Sequence, residues 1–363
     1  GSFQHKWRRE PQPDDRRQCA ARCTFDRQRR RMTARIGLSG CGAIGQMHAR
    51  NLAKRGVELV FHNRTRSKAD DFGRRFGGKV SGEFEALVSG CDAVVIAPPP
   101  EQHTQQVLTA LAAGKPVMVE KPLCANSEEL ARIEAAAESA PAGAFVLVAE
   151  NYYYKPSLAL MRETIAWDGI GAVQSMHVKK LTLQKADGWK AAYGALLEGG
   201  IHFVALVADL ADAALTRVQA AGSGAVEAGA ELELTQAPIR SPLSVLAEFP
   251  TAEGSGTAER QSRLTLSYEG GMKVHLHYAW DVPSWGKGTF QHSRIDGDTG
   301  RIVFESNGIY VDVRGPGRKG LSFPGFGDLM GYGMMTEDFL GCIVSSDTPY
   351  SNLVRARRDL EIV

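Results

Sequence analysis

Cysteine is scarce in this 363-residue chain, with six residues at 19, 23, 41, 91, 124 and 342. Cys19 and Cys23 have no histidine or second cysteine pair beside them to complete a zinc site, so metal chemistry is not expected. Isolated cysteines and the lack of an export signal point to a reducing cytoplasm. No window approaches the roughly 18 uninterrupted apolar residues that a membrane-spanning helix needs. Glycine at 39 and proline at 16 are too few for collagen-like or low-complexity chains. Net charge is only +2, but it is unevenly spread. Residues 1–31 carry ten Lys or Arg against four acids, leaving 33 bases and 37 acids in the body. A body of that sign does not suggest a nucleic-acid binder. The tail opens Gly1-Ser2, lacks an apolar signal core and precedes Met32. It reads as a disordered tag remnant or overextended start, the alternative being a basic arm for an acidic partner.

What is present is an ordinary globular composition, 43% hydrophobic and 23% charged, at a length that suggests two domains. Between Ala34 and Glu150, short β-rich runs alternate with helical stretches. Arg35–Leu38, Val57–His62, Asp92–Ala97, Pro116–Glu120 and Phe145–Ala149 read as strands. Ala43–Arg55, Ser67–Phe76, Gln102–Ala113 and an Ala-rich stretch opened by Asn126-Ser127-Glu128-Glu129 read as helices. The continuous apolar runs suit strands buried on both faces, so 32–150 is expected to be an open, doubly wound parallel sheet of the Rossmann type. After Glu150 the pattern changes to longer alternating strands: Val173–Leu183, Ser244–Phe249, Arg263–Tyr268, Lys273–Trp280 and Arg301–Glu305. Hairpin turns are expected at Glu269-Gly270-Gly271 and Asp296-Gly297-Asp298. Helices are expected after Pro156, near Leu196, and over 335–345 and 352–363. Residues 151–363 are therefore expected to form an α+β domain for substrate binding and oligomerisation. Its large sheet is mostly antiparallel, and its last helices pack back on the first domain.

Gly40-Cys41-Gly42-Ala43-Ile44-Gly45 follows the first strand and opens the first helix. Gly40 permits the tight turn, Gly42 lets a pyrophosphate approach the backbone, and Gly45 lets helix and strand pack closely; the helix N-terminus offers N–H groups to phosphate. The tip of the second strand, His62-Asn63-Arg64-Thr65-Arg66-Ser67, has no acid to accept ribose hydroxyls. Arg64 and Arg66 can clamp a 2′-phosphate, and Asn63, Thr65 or Ser67 can hydrogen-bond it, which favours NADP(H) over NAD(H). A solvated basic loop that tolerates either cofactor is the plainer alternative.

Glu120-Lys121-Pro122 ends a buried strand at the carboxyl edge, where open α/β sheets hold ligands. Beside an oxidised nicotinamide the Lys121 ammonium is disfavoured, which suits proton shuttling at a carbinol oxygen, although a lysine paired with a structural carboxylate explains it equally. Glu198 and His202 stand four residues apart, on one side of a helix start, where a carboxylate one turn away can orient the imidazole. Tyr152, Tyr153, Tyr154, Lys155, Trp189 and Lys190 offer stacking faces and fixed donors for a polyhydroxylated ring, or serve as interface core. His275, His277 and His292 lie on sheet strands, where a structural role fits better.

On these motifs the sequence resembles the Gfo/Idh/MocA family of glucose–fructose oxidoreductase and inositol dehydrogenase-like proteins, from about Arg35 onward. The resemblance includes Ala97-Pro98-Pro99-Pro100 with His103, Ala113-Gly114-Lys115-Pro116-Val117 leading to Glu120-Lys121-Pro122, and Gly169-Ile170-Gly171. It continues through Gly188-Trp189-Lys190, Leu197-Glu198-Gly199-Gly200-Ile201-His202, and Asp338-Phe339-Leu340 with Pro349. It implies hydride transfer between NAD(P) and a carbinol or carbonyl carbon of a sugar, cyclic polyol or related small molecule. Pro98, His103, Glu120 and Lys121 would join the glycine turn in holding the cofactor. Lys121 would hydrogen-bond the reacting hydroxyl, His202 would be the general acid/base, and Glu198 would occupy the place of the family's usual Asp. That longer acid is a departure, as is Ala192-Tyr193-Gly194 where the family has a glycine triplet. Relatives also include a glycosidase with a transient redox cycle and a non-catalytic sensor, which stand as alternative functions. An open sheet face in the second domain, together with the resemblance, points to a homodimer or homotetramer.

Overall fold

The computed structural model describes residues 34–184, 190–223, 237–250, 258–316 and 319–363. The expectations for 1–31 and for Trp189 lie outside the described residues, as does the side chain of Lys190.

The first sheet has six parallel strands: β1 (Arg35–Ser39), β2 (Glu58–His62), β3 (Lys79–Val80), β4 (Ala93–Ile96), β5 (Val117–Glu120) and β6 (Val146–Ala149), in the order β3-β2-β1-β4-β5-β6. Every residue of β4, β5 and β6 is buried, as their unbroken apolar runs require. The sheet is flanked by α1 (Ala43–Ala53), α2 (Arg66–Phe76), α3 (Phe84–Ser89), α4 (His103–Ala112) and α5 (Ser127–Ser139). The side chain of Asn126 caps α5 by accepting from the Glu129 N–H at 2.9 Å. Strand β3 and helix α3 were not anticipated. Two residues are too few to show a period, and α3 is shorter than two turns.

The second sheet has eight strands: β7 (Val173–Leu181), β8 (Ser244–Glu248), β9 (Gln261–Ser267), β10 (Lys273–Ala279), β11 (His292–Gly297), β12 (Arg301–Glu305), β13 (Val311–Arg314) and β14 (Lys319–Ser322). Their order is β14-β13-β12-β11-β7-β10-β9-β8, antiparallel throughout except for β7 with β10. The β9–β10 turn falls at Glu269–Gly271 as anticipated. The β11–β12 turn is one residue later than expected: Asp296 still pairs with Arg301, and the Gly297 N–H donates to the Gly300 carbonyl. Strand β11 carries His292 as anticipated and leads into this turn, whereas β13 and β14, four-residue segments among glycines, were unanticipated.

Period-two alternation sorts the faces of this sheet. Met176, Val178, Val274, Leu276, Leu264, Leu266, Ile295 and Ile302 point inward and are buried. They pack beneath α6 (Pro156–Ala166) and α8 (Ile201–Gly222), which follows α7 (Lys190–Ala195) and a π turn at Leu196–Gly200. The stretch Ala192–Gly222 is long and apolar enough to cross a membrane by composition alone, but 89% of its most apolar window is buried inside the protein. The outer face presents Thr265, His275, His177 and Arg294 in one cross-strand row, with the two imidazoles stacked at 4.9 Å. Leu246 of β8 extends this row beside Thr265 and is exposed.

Helices α9 (Tyr332–Ser345) and α10 (Leu353–Ile362) return to the first sheet. Met335 and Phe339 of α9 join its core, and Arg55 bonds Glu337 at 2.8 Å. Between α6, α8 and α10 lies a buried ion network in which Arg355 and Arg358 both reach Asp212, at 3.3 and 2.6 Å. Arg162 reaches Asp209 at 3.1 Å in the same network.

Candidate active site

The carboxyl ends of β1, β2, β4 and β5 open onto a cleft of about 570 Å³. The glycine turn forms one wall. Gly40 has φ +97°, and a Cβ there would stand 2.4 Å from the Ala97 backbone; a Cβ on Gly45 would lie 2.0 Å from the Gly40 carbonyl oxygen. Both positions therefore require glycine for the turn to sit against β4 and α1. At Gly42 nothing lies within 4 Å of an added Cβ, and no side chain caps α1. The backbone is thus open where a phosphate can meet the first N–H groups of the helix, and Ala43 and Ile44 line the same wall.

At the end of β2, Asn63 is committed to the turn itself. Its Oδ1 accepts from the Cys41 N–H at 3.0 Å and its Nδ2 donates to the Thr65 carbonyl at 3.0 Å. Arg64 and Thr65 line the cleft. Arg66 does not; its guanidinium is turned along α2 to Asp70 at 3.1 Å, and Lys68 lines the cleft instead. The reason is local: an Arg–Asp pair four residues apart on a helix satisfies the guanidinium in place.

His103 is wholly buried between Pro98 and Pro122. Nδ1 faces the Pro122 carbonyl at 2.8 Å and Nε2 faces the Pro98 carbonyl at 3.0 Å. Burial holds its pKa below the usual histidine range despite these acceptors. The ring ties the loops after β4 and β5 together beneath the cleft. Glu120 is also interior, with Oε1 2.7 Å from His48 Nε2 of α1. Burial opposes its ionisation, but the His48 hydrogen bond and the nearby charges of His48 and Lys121 hold its pKa below the usual range.

Lys121 reaches across from the first sheet to the π turn, where its Nζ donates to the Glu198 backbone carbonyl. The Glu198 side chain is buried and borders the cleft; its charge, after burial, helps push up the Tyr278 phenol pKa. The carboxylate that holds His202 is not Glu198 but Glu150, just beyond β6, with Oε1 2.6 Å from His202 Nδ1. Tyr152 is buried behind His202, its ring stacked on the imidazole at 4.8 Å and 14°. Tyr332, at the start of α9, closes the cleft; burial and the charges of Glu120 and Glu150 push its phenol pKa up.

Tyr153, Tyr154 and Lys155, expected on the substrate wall, are placed elsewhere, and Tyr152 does not line the cleft. Tyr153 is buried, donating to Asp359 and accepting from Arg358 at 2.7 Å. Tyr154 donates to Asp338 at 2.7 Å and accepts from the Ser351 N–H at 3.1 Å, and it borders a separate hollow of about 720 Å³ beneath α9. Neither the glycine turn, Lys121 nor His202 borders that hollow, so the larger cavity is not where these groups meet. Lys155, at the N-cap position of α6, is 1% exposed, with Nζ 4.1 Å from the Tyr152 ring centroid. Sequence reasoning missed Glu150, His48, Lys68 and Tyr332. Glu150 carried a usable signal, an acid at the carboxyl end of a buried parallel strand, like Glu120. Tyr332 carried none, since it arrives from a helix 130 residues after His202.

Fold and cleft together define a chain of two sheets, the first parallel and carrying an open glycine turn at its carboxyl edge. Residues 34–147 match the family model GFO_IDH_MocA, described as oxidoreductase family, NAD-binding Rossmann fold. Among curated relatives, inositol 2-dehydrogenase of Acidothermus cellulolyticus is 32% identical over 232 residues, covering 60% of this chain and 64% of that protein. The chain spans about half the length of the curated relatives it matches. Solved structures share the fold over nearly the whole chain. An oxidoreductase from Agrobacterium radiobacter in complex with NAD+, L-tartaric acid and magnesium superposes with TM-score 0.72 at 17% identity, covering 91% of this chain and 94% of that one. KijD10, a 3-ketoreductase from Actinomadura kijaniata in complex with TDP-benzene and NADP, gives 0.67 at 20% identity, covering 91% and 96%.

Proposed function

We propose that this protein is an NAD(P)-dependent dehydrogenase or reductase acting on a CH–OH group of a sugar, cyclic polyol or related small molecule. The observation that carries the reading is the meeting of Lys121 and His202, from different domains, in the cleft that also holds the open glycine turn. Similarity to inositol 2-dehydrogenase supports the substrate class. The glycine turn and the first N–H groups of α1 would hold the pyrophosphate, with Arg64, Thr65 and Lys68 around the adenosine ribose. NADP(H) is favoured over NAD(H), because the cleft lining at the end of β2 offers Arg64 and Lys68 and no acid among the described residues.

When bound, the nicotinamide supplies or accepts the hydride. His202 takes the hydroxyl proton during oxidation and returns it during reduction, at Nε2, since Nδ1 is engaged by Glu150. Lys121 brings a positive charge to the oxygen on which negative charge develops, and its tie to the Glu198 carbonyl fixes where that charge stands. Glu198, lining the same cleft, is placed to accept hydrogen bonds from a neighbouring hydroxyl.

The test is turnover on a panel of sugars and cyclic polyols, followed by nicotinamide absorbance, with Lys121→Met and His202→Asn alongside the parent. Each variant should lose at least about 10²-fold in kcat. Full activity in both would overturn the assignment. Tightly retained cofactor with no net nicotinamide turnover would point to a transient-redox glycosidase instead.

A further inference from the structure

We propose that Glu150 is the positioning residue of the site, holding His202 in the form that carries its proton on Nδ1 and keeps Nε2 unprotonated for exchange with the substrate. The inference rests on the reading of His202 as the acid/base, but its structural half can be tested without activity. The side chain of Glu150 is only 4% exposed, and that of His202 18%. Glu150 Oε1 accepts from the Tyr152 N–H at 3.0 Å and lies 2.6 Å from His202 Nδ1. An ionised carboxylate is an acceptor only, so the partner nitrogen at that distance must be the donor. The neutral ring then has its one remaining lone pair on Nε2.

The same short turn restrains the ring in a second way. Glu150 N-caps the turn Asn151–Tyr154, which sets Tyr152 flat against the imidazole at 4.8 Å. Hydrogen bond and stacking together fix both the tilt and the rotation of the ring. Glu150 belongs to the segment leaving β6, whereas His202 begins α8 of the second domain. The pair therefore ties the acid/base to the sheet that carries the cofactor turn, so a movement between the domains would be felt at His202. Glu198, only four residues from His202, does not make this bond.

The charged and titratable groups around His202 are Glu150, Lys121 and Glu198 at the cleft, Tyr332 from α9, Tyr152 against the ring, and Lys155 beside Tyr152. Glu150 is the one in direct contact with Nδ1, so its removal is expected to move the pH profile of the proton step.

The experiment is ¹⁵N-histidine NMR of the full chain, comparing the parent with Glu150→Gln and Glu150→Asp, with His202→Asn used to assign the signal. The parent should show His202 protonated on Nδ1 and unprotonated on Nε2 at pH 8. Glu150→Gln should show a mixture of tautomers, and Glu150→Asp should retain the parent pattern in part. On any substrate found active, Glu150→Gln should lower kcat by about 10- to 100-fold, shift the acidic limb of the pH profile downward and leave nicotinamide affinity within twofold. A parent His202 protonated on Nε2 alone overturns the proposal whether or not the variants fold. An unchanged pH profile in a folded Glu150→Gln protein overturns it too. The expected tautomer together with turnover indifferent to His202→Asn would instead leave the positioning intact and refute the acid/base reading.

Discussion

Replacing Lys155 with methionine should stabilise the protein at neutral pH. Lys155 is 1% exposed, and its Nζ has no hydrogen-bond partner among the described residues. Burial lowers its pKa from 10.5 to about 8, with Glu305 and Glu150 acting against that shift only through space. A buried amine with a depressed pKa binds fewer protons folded than unfolded between those two values, so its contribution to stability rises with pH across that window. The burden is fully present below pH 8 and is relieved by about pH 10.5; a shift of this size corresponds to about 3 kcal/mol. Methionine has a similar length, no charge and a flexible stem that can fill the same space. It forfeits the contact of Nζ with the Tyr152 ring at 4.1 Å, worth about 1 kcal/mol. The net expectation for Lys155→Met is a gain of about 2 kcal/mol at pH 7, shrinking steadily from pH 8 to pH 10.5. Urea unfolding of both proteins at pH 7, 8.5 and 10 reads this as a pH-dependent difference from which titrations common to both proteins cancel. A variant less stable than the parent at pH 7, or a difference flat across the three values, would refute the reasoning.

Further expectations concern the cofactor wall. Gly45→Ala puts a methyl group 2.0 Å from the Gly40 carbonyl oxygen, so the turn must open; fluorescence titration should show at least tenfold weaker nicotinamide binding together with a lower Tm. Binding equal to the parent would mean that the turn does not carry the cofactor. Arg64→Ala and Lys68→Ala should each weaken NADPH about tenfold and NADH less than twofold. Arg66→Ala, whose partner is the exposed Asp70, should change neither by much. An equal loss for both cofactors in Arg64→Ala and Lys68→Ala would remove the argument for NADP(H).

Much of the first domain was legible in the chain because its signals are local. The unbroken apolar runs at Val94–Ile96 and Val117–Val119 can be satisfied only by burial on both faces, and the glycine turn announces a close backbone approach. In the second domain, alternation located β7, β9, β10 and β12, while the short β13 and β14 offered too few residues to show a period. Lys121 and His202 were found from their motifs, but their environment was not. The four-residue spacing of Glu198 and His202 suggested a pair, and the folded chain supplies Glu150 from the segment after β6 instead. Arg66 looked equivalent to Arg64 until α2 brought Asp70 beside it.

By itself, then, the sequence determined the layer architecture, the position of the glycine turn and the strand end that carries Lys121, because apolar period, glycine placement and strand ends are properties of neighbouring residues. Only the tertiary structure decided which carboxylate contacts His202, that Lys155 is buried rather than cleft-facing, and that Tyr332 lines the cleft. Those outcomes depend on how strand ends, helix starts and the returning α9 meet in space, and a hydrogen bond across 52 residues or a ring delivered from the far end of the chain leaves no period in the sequence to read.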